Sequence, residues 1–144
     1  MKIGMLIIFR NDAPTIDVQK FIELFDEKKN LNVCFVNNSS TDHTLKLLRE
    51  IQEDVNIPIS IIDVKKNRGQ HAAIKAGIRY VNSIDNVPYI LCLQAFSKEA
   101  FSTLNKVFRL IQQDKEIVTA LFSKTECLAH KNVFSLHDVL EVVC

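Results

Sequence analysis

Apolar runs and helix-spaced apolar positions alternate along the whole chain. Ile3 to Phe9 is a continuous apolar stretch of strand length, the pattern of a strand buried on both faces. Phe21, Leu24, Phe25 and Lys28 then recur at three and four, which predicts a helix over 16–28. A second strand is expected over 32–36, and Leu45, Leu48, Ile51 and Val55 mark a helix that should start near Ser40 and Thr41. A third strand (57–64) precedes a helix carrying Ala73, Ile74, Gly77, Ile78 and Val81, and a fourth (88–93) precedes a helix opened by Ser97 and carrying Phe101, Leu104, Val107, Phe108 and Ile111. The pattern ends with a fifth strand over 117–122 and a short helix over 135–143, with Ser135 and Asp138 spaced as a capping box.

Strand–helix alternation at this spacing predicts right-handed crossovers and an α/β fold, a mainly parallel sheet with helices on both faces. In such sheets ligands bind beyond the carboxyl ends of the strands. The segments to watch are therefore those that follow each strand: Arg10-Asn11-Asp12, Asn37 to Asp42, Lys65 to Gly69 and Gln94 to Ser97. With 144 residues and no linker, repeat or low-complexity tract, 1–144 is expected to be a single domain.

Composition narrows the partners. Lys plus Arg is 18 and Asp plus Glu is 17, a formal net charge of +1, so no broad basic field draws a nucleic-acid backbone. No apolar run is long enough to span a membrane. Cys34, Cys92, Cys127 and Cys144 form no Cys-x-x-Cys pair and stand at no zinc spacing, so reduced thiols in the cytoplasm are expected. The apolar start of the chain is short and ends at Arg10 with no cleavage-type sequence after it, which favours a first strand over a signal peptide.

The loops exclude several α/β chemistries. No Gly-x-Gly-x-x-Gly follows the first strand and no Gly-Lys-Ser/Thr occurs. A phospho-receiver site built on Asp12, Asp63 and Lys124 would lack the clustered carboxylates that hold magnesium.

Three ordered segments instead resemble family-2 glycosyltransferases, which have the Rossmann-like GT-A fold. Ile7 to Asp12 resembles their first strand and its Tyr-Asn-Glu turn, and Phe35 to Thr44 resembles their Val-Asp-Asp-Gly-Ser-Thr-Asp-Gly-Thr segment. Asn67-Arg68-Gly69-Gln70-His71-Ala72-Ala73-Ile74-Lys75-Ala76-Gly77 is similar to the Asn-x-Gly-Gln-His-x-Ala-Ile-x-Ala-Gly run of the branch that acts on polyprenyl or dolichyl phosphate. The resemblance implies a GT-A fold, shortened at the C-terminus, and a site for UDP or a UDP-sugar. Its expected contacts are the backbone after Phe9, Asn37 at the uracil edge, Asn67 and Arg68 near the diphosphate, and Gln94. Each also has a purely structural reading: Ser40 or Thr41 can cap a helix, the Asn pair can make a turn, His71 can cap or pack at a helix start, and Gly77 can let a helix approach the sheet.

The resemblance breaks after the fourth strand. There the family carries Asp-x-Asp, whose carboxylates hold Mg²⁺ or Mn²⁺ on the diphosphate; here the triplet is Gln94-Ala95-Phe96. No metal cofactor and no catalytic residue is therefore expected, and no general base is assigned. Two functions follow. One is a glycosyltransferase-like protein that moves a sugar from a nucleotide-sugar to a lipid phosphate or saccharide. The other is a non-enzymatic module of that family that binds nucleotide or protein. The missing acceptor half leads to the expectation of a homo-oligomer or a protein partner.

Overall fold

The computed structural model describes residues 3–26, 28, 30–84, 87–113 and 133–136. Four strands and four helices alternate, as the pattern predicts. They are β1 (Ile3–Phe9), α1 (Val18–Phe25), β2 (Leu31–Asn38), α2 (Thr44–Asp54), β3 (Ile59–Val64), α3 (Gln70–Ile84), β4 (Tyr89–Leu93) and α4 (Lys98–Gln113), followed by β5 (Val133–Ser135). The sheet order is β3-β2-β1-β4-β5, and every pairing is parallel. The chain runs outward from β1 in one direction and then returns to its other side, so the topological switch point lies between β1 and β4.

Strand alternation sorts the core into two layers. Ile3, Met5, Ile7 and Phe9 of β1 face one layer, shared with Val33 and Phe35 of β2 and Leu91 and Leu93 of β4. Helices α1, α2 and α4 cover that side through Phe21 and Phe25, Leu48 and Ile51, and Leu104 and Phe108. Leu6 and Ile8 of β1, Cys34 and Val36 of β2, and Ile90 and Cys92 of β4 face the other layer, covered by α3 through Ala73, Ile74, Ile78 and Val81. The two cysteines are free and buried, and burial pushes both thiols up to about 12, as expected of inert core residues.

The first layer is aromatic. Phe9 lies 5.2 Å edge-on from Phe35 and 5.0 Å from Phe96, and Phe21 lies 5.4 Å from Phe96 and 5.0 Å from Phe101. Such pairs each add about 0.5–1.5 kcal/mol beyond the area they bury.

Boundaries differ from the pattern in instructive places. Helix α1 starts at Val18 because Asp17 accepts the Lys20 N–H as an N-cap, and Ala13–Thr15 forms a separate 3-10 turn. Helix α2 starts at Thr44, not near Ser40, because residues 39–43 are used in contacts between loops. Ser97 does open α4, accepting the Ala100 N–H at 3.0 Å. Val133–Ser135 is a strand that pairs with β4, and Leu136 directly after it is helical, so Ser135 stands where the expected capping residue belongs; the expected strand over 117–122 and the remainder of the last helix lie outside the described residues.

Gly77 has the packing role its place in the helix suggested. A Cβ there would come within 2.4 and 2.9 Å of the Leu6 methyls and 3.1 Å of Val36, all inside the α3 layer. Gly77→Ala should therefore destabilise the fold by about 1–3 kcal/mol, even though alanine favours a helix by about 1 kcal/mol. Denaturant unfolding checks this; a variant as stable as the parent would mean that α3 can shift off the sheet at no cost.

Candidate functional site

At the carboxyl edge of the sheet, the loops after β1 and β2 are tied to each other. The Asn11 N–H donates to Ser40 Oγ, the Asp12 N–H to Thr44 Oγ1, and the Ala13 N–H to Asp42 Oδ2. In return the Thr41 N–H donates to Asn11 Oδ1 at 2.7 Å. Asp42 closes the set by accepting both the N–H and the hydroxyl of Thr44. Ser40 and Thr41 are thus loop-to-loop contacts and not helix caps; Asp42, the residue before the His43 N-cap, accepts the first N–H of α2.

These contacts act oppositely on two carboxyls. Burial is the main effect on Asp12 and raises its pKa, against the N–H of Arg10 and reinforced by the charge of Asp42. For Asp42 burial also raises the pKa, but the hydroxyl and N–H of Thr44 and the N–H of Ala13 outweigh it, and the net shift is downward.

The backbone is bent to make this join. Asn11 and Ser39 hold φ of 53° and 50°, in the left-handed region. Asn tolerates that region through its short polar side chain; Ser does so at a cost. Ser39 stands where the resembled segment has glycine, and its N–H donates to the Val64 carbonyl at 2.7 Å.

The sites proposed from sequence separate by strand face. Asn37 shares the aromatic side of the sheet and is 3% exposed. Its Nδ2 donates to Asp63 Oδ1 at 3.0 Å and its Oδ1 accepts from the Ser40 hydroxyl at 2.6 Å, so both ends of the amide are committed. Phe9 also points to that side and is fully buried. Arg68 and His71 are exposed, so His71 does not pack at its helix start. Asn67 shapes the next loop by accepting the Gly69 N–H at 2.9 Å, with Gly69 at φ +95°.

A pocket of about 290 Å³ opens on the other side, the α3 side, above Ile8. Arg10, Asp12, Asn38, Asn67, Gln70, Gln94 and Phe96 line it. Of the residues expected from sequence, the pocket brings together Asn67 and Gln94; Arg10, Asn38 and Gln70 also line it, and all three fall in or next to the segments that follow the strands. The available signal was parity: Ile8, Asn38 and Gln94 share the strand face of Cys34, Val36 and Cys92, and so the face of α3. Gln70, the first residue of α3, donates from Nε2 to the Gln94 carbonyl and fixes the loop after β4 against the helix. Asn38 is 3% exposed, and its Oδ1 has no hydrogen-bond partner. An unpaired buried acceptor of this kind costs about 1–3 kcal/mol.

The residues present do not fit a hard divalent cation. Gln94 offers only a neutral amide, and Phe96 is turned into the aromatic layer at 7% exposure, held there also by its N–H on the Ile8 carbonyl at 3.2 Å. Among the described residues no three His, Cys, Asp or Glu side chains are grouped to hold a metal. A carboxylate put at position 96 would enter an aromatic core, so the loop cannot regain a metal site by that exchange without repacking.

The model of Glycosyl transferase family 2 matches residues 6–131. The chain belongs to that family. Two solved structures agree in fold. One is the mannosyltransferase PcManGT from Pyrobaculum calidifontis in complex with GDP-Man and Mn²⁺, at TM-score 0.53 and 18% identity over 78% of this chain and 32% of that one. The other is TarS 1-349 of S. aureus, at TM-score 0.52 and 16% identity over 78% of this chain and 33% of that one. The family 2 chain thus spans about a third of the length of either structure. No curated protein matches it by sequence.

Two outcomes follow from the loop geometry. Ser39→Gly should stabilise the protein by about 0.5 kcal/mol, the relief of the left-handed strain less the extra freedom of the unfolded chain; a loss of stability in thermal unfolding would show that the hydroxyl has a role of its own. Asp42→Ala should cost about 1 kcal/mol at neutral pH through the lost hydrogen bonds from Ala13 and Thr44. Because the Asp42 pKa is lowered on folding, its contribution is present above the ordinary value of 3.8 and is lost as pH falls below it. The two proteins should therefore converge in denaturant unfolding near pH about 2. A gap that persists there would refute the carboxylate's role.

Proposed function

We propose that this chain is a glycosyltransferase-like module that binds a nucleotide at the carboxyl edge of its sheet and, by itself, does not transfer sugar. The observation that carries this reading is the α3-side pocket at the switch point, where Gln94 and Phe96 stand in place of the carboxylates a family 2 enzyme needs and the Phe96 ring packs against the aromatic layer. The location is where open α/β sheets bind ligands. Amides of Asn38, Asn67 and Gln94 can donate to and accept from a base or sugar, but they neither hold the cation that neutralises a leaving diphosphate nor take a proton from an acceptor. The electrostatic part of such catalysis is often worth several kcal/mol, so its loss lowers turnover by orders of magnitude.

The fold likeness to a mannosyltransferase holding GDP-Man supports a nucleotide-sugar as ligand class. Transfer to a lipid phosphate or saccharide is the second reading. The Asn67-to-Gly77 run favours it, since its Gln70 is folded against Gln94 at the pocket wall. A protein partner or second copy that supplies acceptor-side groups belongs to either reading. Among the described residues no helix is long and apolar enough to cross a membrane, and a cytoplasmic setting accords with the free thiols of Cys34 and Cys92.

Calorimetric titration with UDP and GDP, paired with a donor-turnover assay on UDP-glucose, UDP-N-acetylglucosamine and GDP-mannose, tests the proposal. Nucleotide binding without measurable turnover is the expected result. Turnover at an ordinary enzyme rate, about 1 s⁻¹ or faster, would overturn the non-catalytic reading; no binding of either nucleotide would overturn the nucleotide site.

A further inference from the structure

The sheet is open at β3. Among the described residues β3 pairs only with β2, so one side of its backbone faces away from the sheet. One hydrogen bond fixes which groups face out. The Val64 carbonyl accepts the Ser39 N–H, from the loop after β2, so Val64, Ile62 and Ser60 direct their backbone groups into the sheet. Ile59, Ile61 and Asp63 direct theirs outward. The Ile59 carbonyl is taken by Gln52 Nε2 at 2.7 Å. The N–H and C=O of Ile61 and Asp63 have no partner among the described residues.

Natural proteins blunt such edges with lysine, proline or a bulge. Ile59–Val64 contains neither lysine nor proline, and its ladder to β2 runs without a break. Its one charge, Asp63, is held toward β2 by Asn37 Nδ2 at 3.0 Å. Apolar surface lies beside the open backbone. Ile61, Ile62 and Val64 are only half-buried. Tyr80 and Ile84, one turn apart on α3, are the large apolar side chains exposed among the described residues, and they share a cavity of about 110 Å³ with Pro58 and Ser60. Unpaired strand backbone next to exposed apolar surface marks a protein contact.

The same groups select the occupant. A second copy related by a two-fold axis sets β3 antiparallel to β3. An axis at Asp63 would put like charges opposite each other. An axis at Ile61 would set Asp63 against the partner's Ile59, whose carbonyl is already used. An axis at Ile62 pairs Ile61 with the partner's Asp63, and Asp63 with the partner's Ile61, through the backbone groups that are free. On the α3 side it sets Ile62 against the partner's Ile62 and Val64 against the partner's Ser60. The edge is therefore complementary to itself.

We propose that β3 is a dimerisation edge, on which a second copy of this chain pairs antiparallel about a two-fold axis at Ile62. The two sheets become one continuous sheet. Because the paired strands oppose, the two pockets lie on opposite edges of it, and neither copy adds a group to the other's pocket. The dimer is thus independent of the nucleotide reading. A contact built on one strand pair is small, and its Kd should be on the order of 10 µM.

Sedimentation velocity of the whole chain, from well below to well above that concentration, tests the proposal. The parent should pass reversibly from monomer to dimer. Ile62→Lys and Ile62→Glu should each stay monomeric, and an equal mixture of the two should dimerise again, since the axis sets position 62 against itself. Circular dichroism and Tm confirm that each variant folds. A second measurement needs no variant: in the parent, the Ile61 and Asp63 amides should exchange with solvent several-fold more slowly in the dimer than in the monomer. A parent that stays monomeric throughout, single variants that associate as the parent does, a mixture that does not recover, or a dimer whose Ile61 and Asp63 amides exchange as in the monomer overturns the proposal.

Discussion

Every residue of β1 from Ile3 to Phe9 is buried, and the rest of the molecule is arranged around that strand. A strand hydrogen-bonded on both edges and covered on both faces must send alternate side chains into two separate cores. Its odd-numbered positions meet the aromatic layer under α1, α2 and α4; Leu6 and Ile8 meet the thinner layer under α3. The close approach of α3 at Gly77 depends on this division, since Leu6 fills the space a side chain would need. So does the place of the pocket, which sits above Ile8 on the α3 side.

The same division explains why the chemistry of the site differs from that implied by the family resemblance. Phe96 follows β4 and turns to the aromatic side, where it lies 5.0 Å from Phe9 and 5.4 Å from Phe21. The ring stabilises the core and at the same time denies the edge a carboxylate. Gln94 stays on the α3 side, where its carbonyl is tied to Gln70. Beside that pocket, reciprocal hydrogen bonds tie the loops after β1 and β2 to each other.

Sequence reading placed the first four strands and the four helices with small boundary shifts, and the shift at the start of α2 has a cause outside the local sequence. Ser40 and Asp42 have good capping chemistry for a helix start, but their side chains, with that of Thr44, are taken by the backbone N–H groups of Asn11, Ala13 and Asp12, some thirty positions earlier. Local propensity cannot report a partner that only the folded sheet brings near. Ser39 is a related case: its strained backbone is set by the join between loops, and nothing about a serine announces a φ of 50°.

The alternating apolar pattern by itself determined an α/β sheet with the loops after the strands as the place to look, and the loop segments by themselves pointed to the family. It also identified Gly77 as a packing glycine. Which of two neighbouring asparagines meets the pocket was decided only by tertiary structure. Asn37 and Asn38 are alike in composition and position, but successive strand residues face opposite ways, and the helix that forms the pocket covers one face only. Asn37 therefore spends its amide on Ser40 and Asp63, and Asn38 lines the pocket with its buried oxygen unpaired. The face that α3 covers follows from the handedness of the crossover and from packing against the whole sheet, neither of which is written in any short stretch of sequence.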